Sequence, residues 1–356
     1  MAVHNVAILG AGIGAQHLTG YLALRDRFAV RTVCDLDAAR AAPLVDASGA
    51  LFAPDIEAVL DDPAVDVVDI CLPPHLHFDV AVRALGAGKH VICEKPLVTS
   101  LAEADALAHV ASETGRSVFP VFQYRFGRAM DQLRALQQAE LAGKPLVATL
   151  ETHWNRGAEY YAVPWRGTWA GERGGAVLGH AIHIHDMLSV ILGPVARVFA
   201  DLGTRVNDIE TEDCAALTIR MASGALVTSS ITLGAAADTS RLRFCFEGVT
   251  VESKRAPYAP ADTAWTFTAR APVSQARVDA VVRAVPPCKT GFAGLFEAVA
   301  DALDGASSRH VTLADGRRSL EFVTGVYGSA RSGAPVAFPL AADHPLYAGW
   351  LPEGVI

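Results

Sequence analysis

The chain has 356 residues, 51% hydrophobic and 19% charged, which excludes a disordered chain and gives material for two domains. Thirty basic against 38 acidic side chains leave a formal charge of −8, a balance that argues against nucleic acid and anionic membranes as main partners. The six cysteines at 34, 71, 93, 214, 245 and 288 form no C-x-x-C pair and no zinc or disulfide spacing, so they read as reduced, buried residues of a cytoplasmic protein.

In chain order, the apolar run Val6–Gly10 predicts a buried parallel strand. It leads into Gly10-Ala11-Gly12-Ile13-Gly14-Ala15 and a helix to about Arg25, a fit to G-x-G-x-x-G/A. Gly10 permits the tight turn, Gly12 lets a pyrophosphate approach the backbone, and Ala15 lets the helix pack on its strand. Gly10, Gly12, Ile13 and Gly14 are therefore candidate cofactor contacts, with phosphates at the helix N-terminus. These glycines also distinguish the apolar start from a signal peptide, and no uninterrupted apolar run approaches the roughly 18 residues of a membrane span.

A second strand, Val30–Cys34, ends in Asp35. A carboxylate there can accept hydrogen bonds from the adenosine ribose and would repel a 2′-phosphate, which favours NAD over NADP, although Arg40 lies close enough to weaken the preference. The alternation continues as helix Asp55–Leu60, strand Val65–Leu72, helix His75–Gly86, strand His90–Cys93, helix Leu101–Thr114 and strand Ser117–Phe122. This βαβ pattern predicts a Rossmann-type, doubly wound parallel sheet over 1–122, with ligands beyond the carboxyl ends of the strands. Further on, Cys214–Met221 with Ala225–Leu233, and Leu242–Phe246 with Val249–Glu252, read as antiparallel hairpins around Ser223-Gly224 and Glu247-Gly248.

Cys93-Glu94-Lys95-Pro96 after a strand, on top of a dinucleotide fold, resembles the glucose–fructose oxidoreductase / inositol dehydrogenase / rhizopine-catabolism (Gfo/Idh/MocA) family. Leu72-Pro73-Pro74-His75-Leu76-His77 resembles its loop over the cofactor, Gln123-Tyr124-Arg125-Phe126 its entry to the second domain, and Trp165-Arg166, Gly174-Gly175 and His183-x-x-Asp186 its second-domain signature. The resemblance implies an α+β domain over 123–356 with a large, mostly antiparallel sheet, often used for homodimer or homotetramer contacts.

It further implies that Lys95 points at the nicotinamide and the reacting hydroxyl, where a charged donor stabilises a developing alkoxide. Glu94 would orient it and contact the nicotinamide ribose, and Leu72, Pro73, His77 and Arg166 would join the cofactor contacts. His183 sits where the family carries its active-site histidine, and is a natural base for the alcohol proton. On an α-helix His180, His183 and Met187 share a face, while His185 points about 200° from His183. One helix therefore cannot aim all three imidazoles at one ion, and the expectation is no metal. Where the family often has an aspartate four residues before the histidine, this chain has Gly179, leaving that role to His180, Asp186 or a water.

The aromatic and basic cluster of His153, Trp154, Tyr160, Tyr161, Trp165 and Arg166, with Arg125, supplies candidate substrate contacts alongside Lys95, His180 and His183. The expected ligand is a small sugar, glycoside or cyclitol, oxidised at a secondary hydroxyl with NAD as acceptor. A redox-neutral glycosidase on the same scaffold and a non-catalytic NAD-binding sensor are the alternatives. Intact Lys95 and His183 count against the sensor.

Overall fold

The computed structural model describes residues 2–354. Two compact units emerge: one comprises the chain up to Phe122 together with Phe292–Leu320, the other Gln123–Gly291 and the chain from Glu321 onward.

The first unit is built on strands β1 His4–Leu9, β2 Phe28–Cys34, β3 Leu51–Ala53, β4 Val67–Ile70, β5 His90–Cys93 and β6 Val118–Pro120. They form a six-stranded parallel sheet in the order β3-β2-β1-β4-β5-β6. Helices α1 Gly14–Leu22, α2 Ala38–Ser48, α3 Glu57–Leu60, α4 His77–Gly86 and α5 Leu101–Thr114 connect them. The runs Val6–Leu9 and Val91–Cys93 are fully buried, as strands covered on both faces must be. Strand order reverses at β1, which pairs with both β2 and β4, so the loops after β1 and β4 frame the ligand crevice of such a sheet.

Local chemistry explains the helix ends. Ser100 Oγ accepts the Glu103 N–H at 3.1 Å, the Glu103 carboxylate accepts the Thr99 N–H at 2.7 Å, and Gly115 closes α5 at φ 63°. The sequence pattern misses α2 and β3. Asp37 caps α2 by accepting the N–H groups of Ala39 and Arg40, but Pro43 inside it masks the helical signal.

The second unit carries α6 Arg128–Gln138, β7 Pro145–Asn155, the short helices α7 Ala158–Tyr161 and α8 Trp169–Glu172, and α9 Ile182–Leu192. Strands β8 Val195–Gly203, β9 Cys214–Met221, β10 Leu226–Thr232, β11 Gly234–Phe246, β12 Val249–Glu252 and β13 Thr266–Ala269 follow, then α10 Gln275–Ala284. With β14 Val336–Ala337 the sheet has eight strands in the order β13-β12-β11-β7-β10-β9-β8-β14, antiparallel except where β7 meets β10. Both expected hairpins are present, as β9–β10 and β11–β12. One sheet face is packed and one is open: along β7, Ala148, Leu150, Thr152 and Trp154 are buried, whereas Val147 and Thr149 are exposed.

Where the sequence predicts an unbroken second domain over 123–356, the chain instead returns to the first unit. Helix α11 Gly291–Leu303 lays Phe296 flat on Tyr21, with ring centroids 4.1 Å apart, and α12 Leu313–Ser332 starts in the first unit and ends in the second. The segment Trp169–Leu192 is long and apolar enough to cross a membrane by length and composition, but most of it is buried inside the second unit as a core element.

Candidate active site

In the first unit the glycine turn has the expected geometry. Gly10 stands at φ 99°, and a Cβ there would lie 2.5 Å from the Cys71 carbonyl oxygen, so only glycine fits. A Cβ on Gly12 would meet no heavy atom within 4 Å, which leaves the open approach that a pyrophosphate needs. The close packing of helix on strand belongs to Gly14, whose Cβ would lie 2.8 Å from Ile8, and not to Ala15, which is exposed. Ile13, between Gly12 and Gly14, is half-buried.

Asp35 is 7% exposed and already committed within the protein. Its Oδ2 accepts the Ala11 N–H at 2.7 Å, its Oδ1 accepts the Asp37 N–H at 2.9 Å, and Arg40 pairs with it at 2.7 Å. Burial pushes the carboxyl up, but Arg40 and the two backbone N–H groups outweigh it and hold the group below the usual carboxylate range. Asp35 thus ties the second strand to the glycine turn. His77, expected at the cofactor, is fully buried, with Nδ1 2.7 Å from the Pro96 carbonyl and Nε2 2.8 Å from that of Leu72. It staples the loop after β4 to the loop after β5 and shapes the half-buried Leu72–Pro73 segment without presenting its own side chain.

Glu94 and Lys95 follow β5 directly. Glu94 is 6% exposed; its Oε2 accepts the Lys95 N–H at 3.0 Å, while Lys95 is only half-buried. The other carboxylate oxygen meets a residue that sequence reasoning missed: His17 on α1, with Nε2 3.0 Å from Glu94 Oε1 and Nδ1 2.8 Å from Asp69 Oδ2. Tyr21 donates its hydroxyl to the same Asp69 oxygen at 2.8 Å. The available signal was Asp69 itself, a carboxylate inside the apolar run of β4. His17, Asp69 and Cys71 are grouped with the donor types of a metal site, but two donors on one zinc ion stand roughly 3.3 Å apart or more, and the 2.8 Å contact is a direct hydrogen bond.

In the second unit the histidine signature does not continue one α-helix. Residues Val177–Ala181 are π-helical and α9 begins at Ile182, so a fixed 100° per residue does not run through His180. The three imidazoles have separate surroundings. His183, 5% exposed, stacks on Tyr124 at 4.4 Å and 23°. His180 meets Trp154 edge-on at 5.3 Å and Tyr160 at 5.8 Å. His185 lies 3.0 Å from Ser229 Oγ and 4.9 Å from the Phe322 ring, and burial takes its pKa down to about 3.

Three of the expected site residues have partners within the protein. Arg125, expected to hold substrate, is 9% exposed and forks onto Asp186, with Nε 2.6 Å from Oδ2. That pair engages Asp186, one of the groups expected to take the role of the aspartate absent at Gly179. His153 lies one residue from Trp154 and hence on the opposite, open sheet face, where it meets Ser230 Oγ at 2.9 Å. Tyr161 and Trp165 remain with the aromatic cluster: Tyr160 meets Tyr161 edge-on at 5.0 Å, and the Arg166 guanidinium lies 3.9 Å above Tyr160 and 5.5 Å from Trp165.

Glu212 anchors the start of the signature. Its carboxylate accepts the N–H groups of Gly175 and Val177, at 3.1 and 3.0 Å, and the Tyr327 hydroxyl. A Cβ on Gly175 would lie 1.9 Å from the Glu212 carbonyl oxygen, which is why glycine stands there. Burial pushes the Glu212 carboxyl up to about 7 against the pull of these donors.

Two family profiles match: the oxidoreductase family's NAD-binding Rossmann fold over residues 4–122, and the GFO/IDH/MocA C-terminal domain over 130–252. Among curated relatives, levoglucosan dehydrogenase of Pseudarthrobacter phenanthrenivorans is 30% identical over 43% of this chain and 40% of its own length. Myo-inositol 2-dehydrogenase of Thermotoga maritima is 30% identical over 48% of this chain and 51% of its own, so the chain spans about half the length of these relatives. The WlbA dehydrogenase of Chromobacterium violaceum, solved with NADH and UDP-GlcNAcA, superposes with a TM-score of 0.84 at 26% identity, over 95% of this chain and 96% of its own. The chain is a member of the Gfo/Idh/MocA oxidoreductase family, with an NAD-binding first unit.

Proposed function

We propose that the protein is an NAD-dependent dehydrogenase acting on a secondary hydroxyl of a sugar, glycoside or cyclitol. The observation that carries this reading is the Glu94-Lys95 turn: a half-buried lysine at the carboxyl end of β5, beside a carboxylate held at both oxygens. The glycine turn fits NAD, since Gly12 leaves open space where a pyrophosphate approaches. Bound NAD supplies the hydride acceptor. The chain's own residues do the rest. Lys95 donates to the substrate oxygen as negative charge develops on it. His183, its ring face held by Tyr124, accepts the hydroxyl proton. Tyr160, Tyr161, Trp165 and Arg166 offer aromatic faces and a cation to a polyol, with His180 beside them. The reading includes a homodimer or homotetramer formed through the open sheet face, where Val147 and Leu226 are paired in register and each about half exposed. Six free cysteines suit a cytoplasmic setting.

The test is a panel of sugars, glycosides and cyclitols with NAD, following NADH and released aglycone together. NADH formation with a polyol is expected. Aglycone release without net NADH would make the protein a glycosidase, and NAD binding with neither product would make it a sensor.

A further inference from the structure

We propose that His17 is a positioning residue for the reaction: an imidazolium held between Asp69 and Glu94, it fixes Glu94 as an anion beside Lys95. The inference rests on the reading of Lys95 given above. The argument is one of donors and acceptors. Both ring nitrogens of His17 face carboxylate oxygens, at 2.8 and 3.0 Å. A neutral imidazole has one N–H and can serve only one of them. The carboxylates are themselves surrounded by donors. Asp69 Oδ2 also accepts the Tyr21 hydroxyl at 2.8 Å, and its Oδ1 faces the Cys71 thiol at 3.7 Å. Glu94 Oε2 accepts the Lys95 N–H at 3.0 Å.

Tyr21 and Cys71 hold their protons, because burial and then the charge of Asp69 push both pKa values up, that of Cys71 to about 12. The positive charge of this buried network therefore belongs to His17. Every element packed on the ring agrees. Helix α1 brings Tyr21, the end of β4 brings Asp69 and Cys71, and the end of β5 brings Glu94. Helix α11 covers the ring with Phe292 at 4.5 Å and Phe296 at 5.4 Å and excludes water. This packing also gives a reason for 292–303 to return to the first unit. In so dry a site the ion bridge holds Glu94 in one orientation.

Two measurements test this. In protein labelled with ¹⁵N-histidine, both His17 nitrogens should show imidazolium shifts from pH 6 through about 8, well past the ordinary histidine value near 6.5. A neutral tautomer at pH 7.5 overturns the proposal. The assignment comes from His17→Gln or, should that variant not fold, from the shift change in Tyr21→Phe, which keeps the ring. In kinetics His17→Gln should lower kcat about tenfold, the scale of one lost charge-assisted hydrogen bond, with KM for substrate little changed. The double variant with Glu94→Gln should lose no more than Glu94→Gln alone. Losses that multiply fully would mean that His17 does not act through Glu94. Wild-type turnover in Lys95→Ala would sink the reading of Lys95, while the nitrogen shifts still decide the charge of His17 by themselves.

Discussion

His17 in the first unit and His185 in the second are buried alike, at 0% and 4% exposure, and their protonation is driven in opposite directions. Burial pulls both down. At His17 the charge of Asp69, the largest of the raising causes, reverses the pull, and the ring is carried well above 6.5. At His185 the ring meets a serine hydroxyl and a phenyl ring among the described residues, and burial takes the value down to about 3. Glu212 completes the contrast, because burial raises its carboxyl to about 7 although three donors face it. The lesson is that the full charge of a neighbour offsets desolvation, whereas dipolar partners offset it only in part. The first unit therefore fixes its polar network at His17 by charge, and the second holds His185 by packing and one hydroxyl.

The largest expected effects lie at Lys95 and His183, the two groups proposed to meet substrate. Lys95→Ala should lower turnover by roughly 10²-fold or more through lost electrostatic stabilisation, with NAD affinity largely kept. His183→Ala should lower it by about 10²-fold or more through loss of the proton acceptor. Steady-state kinetics with a fluorescence titration of NADH separates turnover from binding. Near-normal turnover in either folded variant removes that residue from the mechanism.

Next comes the packing that sets the signature segment. Gly175→Ala puts a Cβ 1.9 Å from the Glu212 carbonyl oxygen, which is backbone and cannot swing aside. The cost should be about 3 kcal/mol, at the upper end for overpacking, read as a lower midpoint in urea with unchanged slope. Gly179→Ala is the control, since its Cβ meets nothing within 4 Å. If the two variants were equally stable, packing would not be what holds this segment.

These contrasts were unevenly legible in the sequence. The parallel sheet, the glycine turn and both hairpins follow from runs of β-forming residues and from turn glycines, which are local signals. The histidine surroundings depend on a π-helical turn, on Tyr124 and on Ser229, and only the fold brings these together. Arg125 reads as a free anion ligand until Asp186, 61 residues on, is found in its fork. His17 carries no motif signal at all. Its meaning comes from Asp69 and Glu94, 52 and 77 residues away. Composition told correctly of a chain able to bury a large core, but not which buried groups would be charged.

More specific is the pH dependence of stability at Glu212. Its folded carboxyl titrates near 7, above the ordinary value of 4.5. Between those values the unfolded chain has lost the proton and the folded chain has kept it, so folding stability falls as pH rises from about 4.5 to 7 and levels beyond. Glu212→Gln should remove this downward slope. Denaturant melts of both proteins at several pH values in that window read the difference. Parallel curves would mean that the carboxyl is ionised in the fold throughout.

The smallest effect at pH 7.5 is expected at His185. Its folded ring stays neutral down to about pH 3, whereas an unfolded histidine takes up a proton near 6.5. As pH falls through that window the unfolded chain gains a proton that the fold refuses, and stability falls with it. At pH 7.5 neither form is charged, so His185→Asn should cost little there beyond the contact with Phe322 and leave turnover within about twofold, since the ring serves packing and one serine hydroxyl. The acid side is the discriminating arm. In His185→Asn the loss of stability from pH 6.5 toward 4 should be shallower than in wild type, because the group that resists protonation is gone. His17→Gln should act at the other end: His17 stabilises the fold fully below 6.5 and loses that contribution as pH rises through its raised value, so its removal flattens the alkaline limb. If instead both variants changed the same limb, the two buried histidines would share a charge state, and the division into a unit fixed by charge and a unit fixed by packing would fall.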